Sequence, residues 1–159
     1  MKKKVICAAL ALTLLGGAAA EAKIEDSRIA LGGISIGSTE AYVRATYGKP
    51  KTYSRDYYAP RKGYVREYNY GDSFFVTVLE ETGQVMRMMS MDRHNKIATP
   101  DGITIGSAID DVLRRYGEPD LRQIDGDSDY LWYFGSKEKG NLVFRVSFGK
   151  VTGITCGTK

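Results

Sequence analysis

Two copies of one phrase constrain this 159-residue chain more than any other feature of its sequence. The first copy, Gly33–Pro50, reads Gly-Ile-Ser-Ile-Gly-Ser, then a helix-like run, then Tyr-Gly-Lys-Pro. The second, Gly102–Pro119, reads Gly-Ile-Thr-Ile-Gly-Ser, a similar run, then Tyr-Gly-Glu-Pro. Landmarks such as Val43 and Val112 lie 69 residues apart throughout. A constant spacing between several landmarks indicates an internal duplication, so we expect two similar units.

Each copy carries the signals for a short helix. In the first copy, Ser38 or Thr39 offers a hydroxyl N-cap for a helix over Glu40–Tyr47, which a glycine and a proline then end. In the second copy Ser107 is the predicted N-cap. The apolar stripe and the stop signals recur there in the same order: Ala108, Val112, Tyr116, Gly117 and Pro119.

Strand-like runs follow each helix. Alternation and turn residues predict three strands in the first copy and three in the second: Tyr64–Tyr70, Phe74–Leu79, Val85–Met91, Tyr130–Phe134, Leu142–Phe148 and Val151–Cys156. The predicted fold class is therefore α+β, a tandem repeat of two units. Each unit has one or two short helices packed on a three- to four-stranded antiparallel sheet. Residues 23–94 form the first unit and 95–159 the second, within one compact body.

The N-terminus predicts export. Three lysines precede an apolar run over Val5–Leu15, and small residues follow as far as Ala22. This pattern is typical of a secretory signal peptide over residues 1–22, cleaved after Ala20 or Ala22, and the run is too short for a membrane span. We expect a periplasmic or secreted mature protein. Its single thiol would be Cys156, which leaves no intrachain disulfide.

Net charge argues against a nucleic-acid partner. The whole chain holds 23 basic and 19 acidic residues, and removal of residues 1–22 leaves 20 and 18, a net charge of +2. The basic character is thus partly a property of the signal peptide. A mature chain so close to neutral lacks the polycationic surface that nucleic-acid binding requires.

The repeated phrase resembles the superfamily of the β-lactamase inhibitor proteins and the small SmpA/OmlA-type outer-membrane lipoproteins. The shared features are Gly-hydrophobic-x-x-Gly, a short helix with a central Val, aromatic-Gly-x-Pro and then antiparallel strands, here at Gly33–Pro50 and Gly102–Pro119. The resemblance implies helices behind a curved sheet whose concave face binds other proteins. The tandem inhibitors have a disulfide in each repeat and the lipoproteins a lipidated Cys, whereas this chain has neither, so no contact residue is carried over.

Aromatic and basic residues concentrate in the first unit. Segment Lys49–Tyr70 holds six basic residues, two acidic residues and six of the eleven tyrosines, whereas Glu118–Gly135 holds five acidic residues and one base. Tyrosine and arginine are favoured in protein interfaces. We predict that an aromatic and basic sheet face binds another envelope or secreted protein through Tyr64, Arg66, Tyr68, Tyr70, Tyr130 and Trp132. Two alternatives stay open: the tyrosines are ordinary strand formers, or the oppositely charged segments attract each other within the molecule.

A methionine-rich strand supports a second hypothesis. Met86, Met88 and His94 offer thioethers and an imidazole, which suit Cu(I), so a periplasmic copper or small-ligand binder is the alternative function. Core packing is the simpler interpretation of the methionines.

No motif predicts catalysis or a cofactor. Cys156 and His94 are the sole thiol and imidazole of the mature chain, and no nucleophile signature surrounds either residue. The run Asp125–Asp129 resembles the start of a calcium loop but lacks the later ligands, so we predict a hairpin turn there.

Overall fold

The computed structural model describes residues 24–136 and 140–158, and the predicted signal peptide lies outside the described residues. Short 3-10 turns lie at Asp26–Arg28, Ala59–Arg61 and Arg93–Asn95. The helices are α1 (Glu40–Tyr47) and α2 (Ile109–Tyr116). The strands are β1 (Ala30–Leu31), β2 (Ile34–Ser35), β3 (Thr52–Tyr58), β4 (Gly63–Asn69), β5 (Phe74–Leu79), β6 (Gln84–Ser90), β7 (Leu121–Asp125), β8 (Ser128–Phe134), β9 (Asn141–Ser147) and β10 (Lys150–Gly157).

Eight strands form one antiparallel sheet. Their order is β3-β4-β5-β6-β10-β9-β8-β7, so each group of four consecutive strands forms a meander and the groups join through β6 and β10. The edges of the sheet are β3 and β7. The α+β prediction is confirmed, and the six predicted strands are present with bounds shifted by two residues at most. The two edge strands were not predicted.

The core lies between the helices and one face of the sheet. Val43 of α1 and Val112 of α2 are fully buried. The Tyr47 ring packs 5.1 Å from the ring of Phe74, and the Tyr116 ring packs 5.2 Å from that of Phe144. Burial of these aromatic rings supplies much of the hydrophobic contribution to folding. We call this side of the sheet the helix side and the opposite side the open face.

Each helix starts from a segment that is bonded to the sheet. The Gly37 amide donates to the Val85 carbonyl, and the Val85 amide donates to the Ser38 carbonyl, both over 2.8 Å. In the second group, equivalent bonds join Gly106, Ser107 and Val151 over 2.8 and 2.9 Å. Both helix N-termini are therefore fixed against the last hairpin of their own strand group.

Only one of the predicted N-caps is correct. The Thr39 hydroxyl accepts a hydrogen bond from the Tyr42 amide over 3.2 Å, which caps α1 as predicted. In α2 the N-cap position is Ala108, which has no side-chain acceptor, so the prediction of Ser107 was wrong. The Ser107 hydroxyl instead accepts from the Thr104 amide over 3.1 Å and closes the preceding turn.

Glycine ends both helices, as predicted. Gly48 has φ of 74° and Gly117 has φ of 77°, in the region that residues with a side chain rarely occupy. Their amides donate to the carbonyls of Arg44 and Leu113, which satisfies one terminal carbonyl of each helix.

A bulge interrupts the face alternation of one strand in each group. Met86 in β6 and Thr152 in β10 are extra residues without a cross-strand partner. An extra residue reverses the alternation beyond it. Val85 and Met88, which strict alternation would put on opposite faces, therefore both belong to the core, while buried Met86 lies outside the core cluster.

Equivalent core truncations in the two helices test whether the sheet unfolds as a unit. Val43→Ala and Val112→Ala each remove two methyl groups from a fully buried site, so we expect each to lower the free energy of unfolding by about 2 kcal/mol. Both should shift a single urea transition, seen alike by circular dichroism and by the fluorescence of Trp132. Ala45→Ser, on the exposed side of α1, serves as the control. Two transitions, of which only one moves in each variant, would contradict a shared cooperative unit.

Candidate protein-binding faces

The six predicted contact residues do not share one sheet face. Tyr64, Arg66 and Tyr68 alternate along β4 on the helix side, since the Tyr68 hydroxyl reaches Glu40 of α1. Trp132 lies on the open face, where it lines a cavity, and Tyr130 shares that face two residues away. The expectation of a single surface was therefore wrong, because the strands that carry these residues present them to opposite sides.

Two of the predicted tyrosines are structural. Tyr68 is only 2% exposed, and its hydroxyl donates to Glu40 Oε1 over 2.7 Å. Tyr70 is partly buried against the core, with its ring 5.4 Å from that of Tyr47. Burial raises the pKa of both tyrosines, so both stay neutral and act as packing groups. The prediction of Tyr68 as a contact residue was therefore wrong, because a partner cannot reach this buried side chain.

Glu40 holds the helix side of the first strand group together. Its carboxylate accepts from the Tyr68 hydroxyl, from Arg44 over 3.0 Å and from Arg66 over 2.9 Å. Burial acts to raise the pKa of Glu40, but the hydrogen bonds from Tyr68 and Arg44 and the charge of Arg66 outweigh it, and the net pKa is lowered. Arg66 is thus committed to an internal ion pair and is only partly exposed.

Beyond Glu40, aromatic and basic side chains form an exposed strip at the sheet edge. Tyr53, Tyr57 and Tyr64 are 67%, 59% and 45% exposed, respectively. The Arg55 guanidinium lies 3.7 Å from the centroid of the Tyr64 ring and donates to Glu80 over 2.7 Å. We call Tyr53, Arg55, Tyr57 and Tyr64 the edge strip.

The strip depends on cross-strand pairing that was not predicted. In the β3–β4 ladder, Tyr53 lies opposite Tyr68, Arg55 opposite Arg66, and Tyr57 opposite Tyr64. Two arginines directly opposite would repel, but each has its own carboxylate partner. The sequence does contain a signal for this pairing. Tyr53, Arg55 and Tyr57 alternate along the chain in the same way as Tyr64, Arg66 and Tyr68 of β4.

The open face contains a cavity of about 450 Å³. Its lining residues come from seven of the eight strands, from β3 to β8. Strands this far apart would span about 29 Å in a flat sheet. A single cavity that touches all of them requires the sheet to curve around it, so the open face is concave.

Polar and apolar groups alternate across this cavity. Val65 and Val143 are buried but belong to no part of the core cluster, and they form its apolar floor. Beside them, Arg87 donates to Glu67 Oε2 over 2.9 Å, and the Thr77 hydroxyl donates to the same oxygen over 3.2 Å. Trp132 lies directly across the ladder from Val143 and also lines the cavity.

The proposed copper ligands do not converge. Met88 is buried in the core, Met86 lines the open-face cavity, and His94 lies beyond the end of β6. The distance along β6 from Met86 to Ser90, where the strand ends, is already about 13 Å. The His94 imidazole is exposed, with Nδ1 2.7 Å from Asp92. Within residues 24–136 and 140–158, no group of three or more His, Cys, Asp or Glu side chains is placed to hold a metal.

The remaining candidates have structural roles. Cys156 is fully buried, and burial raises the pKa of its thiol far above its usual range. Cys156 and the exposed His94 therefore form no nucleophile–base pair of the kind covalent catalysis uses. The hairpin turn predicted at Asp125–Asp129 is confirmed: it joins β7 to β8, and Asp129 accepts from Arg122.

The basic and acidic segments lie at opposite ends of the sheet. Segment 49–70 contains edge strand β3, and segment 118–135 contains edge strand β7. None of the ion pairs in the described part of the chain joins the two segments. The interpretation that these charges hold the two halves together is therefore wrong.

These features define a small α+β protein with helices on one side of an eight-stranded antiparallel sheet and a concave face on the other. Among the described helices, none is long and apolar enough to cross a membrane.

Comparison with known proteins gives structural likenesses only. No protein-family model matches the chain, and curated protein sequences give no significant match. An extracellular protein containing an SCP domain from Bacillus anthracis str. Ames is similar over 79% of this chain and 44% of its own length, at 14% identity and a TM-score of 0.48. This chain thus spans less than half of that protein.

Two further solved structures are similar at lower identity. A DUF4309 family protein from Bacillus subtilis matches 77% of this chain and 79% of its own, at 8% identity and a TM-score of 0.44. A candidate β-lactamase inhibitor protein from Streptococcus mutans matches 76% and 88%, at 10% identity and a TM-score of 0.30.

The Glu40 network predicts a defined pH dependence of stability. Because its pKa is lowered on folding, the stabilisation is complete above the ordinary value of 4.5 and is lost as pH falls through the lowered value. We expect Glu40→Gln to cost about 1.5 kcal/mol at pH 7, as measured by urea unfolding. The difference from the unmodified protein should shrink towards pH 3.

The control for this prediction is Glu81→Gln, which alters an exposed carboxylate in the β5–β6 turn. It should leave stability within about 0.5 kcal/mol at both pH values. A Glu40→Gln effect of equal size at pH 7 and pH 3 would show that the ionised carboxylate is not the stabilising group.

Proposed function

We propose that this chain is an exported protein-binding module that holds a secreted or envelope protein against the open face of its sheet. The observation that carries the proposal is the concave cavity to which strands of both groups contribute. Its apolar floor beside charged and aromatic groups has the mixed character of protein-binding surfaces. The resemblance of the repeated phrase to the inhibitor superfamily implies the same use of a concave face.

Trp132 and Tyr130 are the proposed aromatic contacts. Trp132 lies beside the buried Val143, and Tyr130 lies opposite Arg145 in the β8–β9 ladder. Large rigid aromatic groups beside an arginine contribute most of the binding energy in many interfaces. Of the six predicted contacts, these two lie on the open face, which is the side proposed to receive the partner.

The shape of the cavity favours a macromolecule over a small ligand. Its lining extends across seven strands and is open to solvent, whereas small-ligand sites enclose most of their ligand. A convex protein segment can fill such a trough along its length. We therefore propose no cofactor and no catalytic step for this face.

We also propose that the two strand groups descend from one duplicated unit, over residues 23–94 and 95–159. Three features support this: the mirrored strand order, the equivalent bonds that fix the two helix starts, and the bulges at Met86 and Thr152. The spacing of the bulges, 66 residues, agrees with that of Val85 and Val151. Duplication would explain how one face came to carry matched strands on both sides of its centre.

Export is proposed from the N-terminal pattern of lysines and apolar residues over residues 1–22. It would place the open face in contact with envelope or secreted proteins.

Truncation of Trp132 tests the proposed face. Trp132→Ala should reduce capture of an envelope protein from extract by at least about tenfold, because an anchoring aromatic group is lost from the cavity. The mature protein is immobilised and exposed to the extract. The amount of each envelope protein that it retains is then quantified by mass spectrometry.

Ile124→Ala is the matched control, since Ile124 is 73% exposed but lies away from the cavity. Thermal unfolding of both variants checks that each is folded. Capture that is unchanged by Trp132→Ala, or reduced equally by Ile124→Ala, would remove the assignment of the open face.

A further inference from the structure

We propose that the outer edge of β3 receives an extended, acidic segment of a partner protein, which adds to the sheet as a further strand. The added strand would pair with the outer edge of β3, whereas the open-face cavity lies over the sheet and reaches β3 only at Asp56, Tyr57 and Tyr58. Such pairing goes beyond the proposed function. Three observations on β3 carry it: its free edge, the charges at its ends, and the edge strip on its helix side.

β3 is an edge strand with little cover. Residues 52–57 are exposed and Tyr58 is partly exposed. In the described chain, the only strand that pairs with β3 is β4. An edge strand presents one row of backbone N–H and C=O groups outward, which an extended peptide can pair with. Seven residues of strand are long enough for a ladder of several hydrogen bonds.

Positive charges bracket this edge. The exposed side chains near its ends are Lys49, Lys51, Arg61 and Lys62. None of these four forms an ion pair with the residues that the structure describes. Charge complementarity therefore selects a segment with carboxylates at both ends.

The other edge of the sheet has the opposite character. β7 is also exposed along its length, but Glu118, Asp120, Asp125 and Asp127 lie along it or at its ends. An acidic segment would be repelled there, so the two edges discriminate between partners by charge. β7 thus provides an internal control for every test on β3.

The edge strip indicates which side chains an added strand would carry. The helix-side residues of the added strand would lie next to Tyr53 and Tyr57. Aromatic groups pair well with β-branched neighbours across strands. Those on the other side would lie next to Ser54 and Asp56, which favours small polar groups. The expected segment alternates β-branched and small polar residues between acidic ends.

A second copy of this chain is the competing occupant, through its acidic β7 edge. That contact joins two different edges, so it is heterologous and would produce rings or open-ended assemblies rather than a two-fold dimer. We assign the edge to a separate partner, and self-association is a result that would overturn the assignment.

A synthetic peptide tests the proposal directly. The probe is a fluorescein-labelled Glu-Glu-Val-Thr-Val-Thr-Val-Glu-Glu peptide, titrated with the mature protein and followed by anisotropy. We expect saturable binding that weakens as salt is raised, and weakens by about tenfold in the double variant Lys49→Glu/Arg61→Glu. The matched double variant Asp125→Lys/Asp127→Lys, at the β7 edge, should not weaken binding.

Two further measurements separate strand addition from simple charge attraction. A peptide of the same charge with proline at the central valine cannot form the ladder and should not bind. Hydrogen exchange should slow for amides of β3 and not for those of β7 when the first peptide is added. Equal binding of both peptides, or exchange unchanged at β3, would overturn strand addition.

Two other results would also overturn the proposal. One is the absence of peptide binding at millimolar protein. The other is concentration-dependent self-association in sedimentation velocity that Asp125→Lys/Asp127→Lys abolishes. Trp132→Ala should bind the peptide normally, so a failure at β3 and a failure of the open-face function give different results.

Discussion

The antiparallel pairing of β6 with β10 is the interaction on which the rest of the structure depends. It runs from Ile154 opposite Ser90 to Gly157 opposite Arg87, and Met88 faces Cys156 at its centre. These residues are buried or flank buried positions, so the ladder joins two hydrogen-bonded groups and also closes the core beneath them. Without it, each four-strand group would have an open internal edge and an incomplete core.

This junction also determines where the surfaces lie. Since β6 and β10 are the last strands of their groups, the first strands, β3 and β7, are carried to the two outer edges. The basic and acidic segments are therefore separated by the full width of the sheet. The same arrangement turns the cavity residues of both groups towards one concave face, with Glu40 and the helices on the opposite side.

Local patterns were sufficient for much of the fold. The bounds of α1 follow from a hydroxyl cap at Thr39 and a glycine stop at Gly48, both of which act within a few residues. The central strands were equally accessible, because each has a dense apolar face. The prediction at Ser107 failed because a serine hydroxyl can cap a helix or close the turn before it, and the sequence pattern suits both.

The candidate site was harder to predict than the fold. Tyr68 and Trp132 both belong to alternating aromatic strands, yet one is buried under α1 and the other lines the open-face cavity. Alternation distinguishes two faces of a strand, but it does not say which face a helix will cover. β3 was missed because all its residues are polar or tyrosine, so it has no apolar face to mark it as a strand.

The sequence by itself determined the helices, the central strands and their antiparallel turns, because capping, glycine stops and period-two alternation operate over short distances. Only the tertiary structure decided the strand order, the effect of the bulge at Met86, and the separation of the charged segments to opposite edges. Those features depend on pairing between strands such as β6 and β10, which lie more than 60 residues apart in the chain. No local pattern encodes which of several open edges will meet.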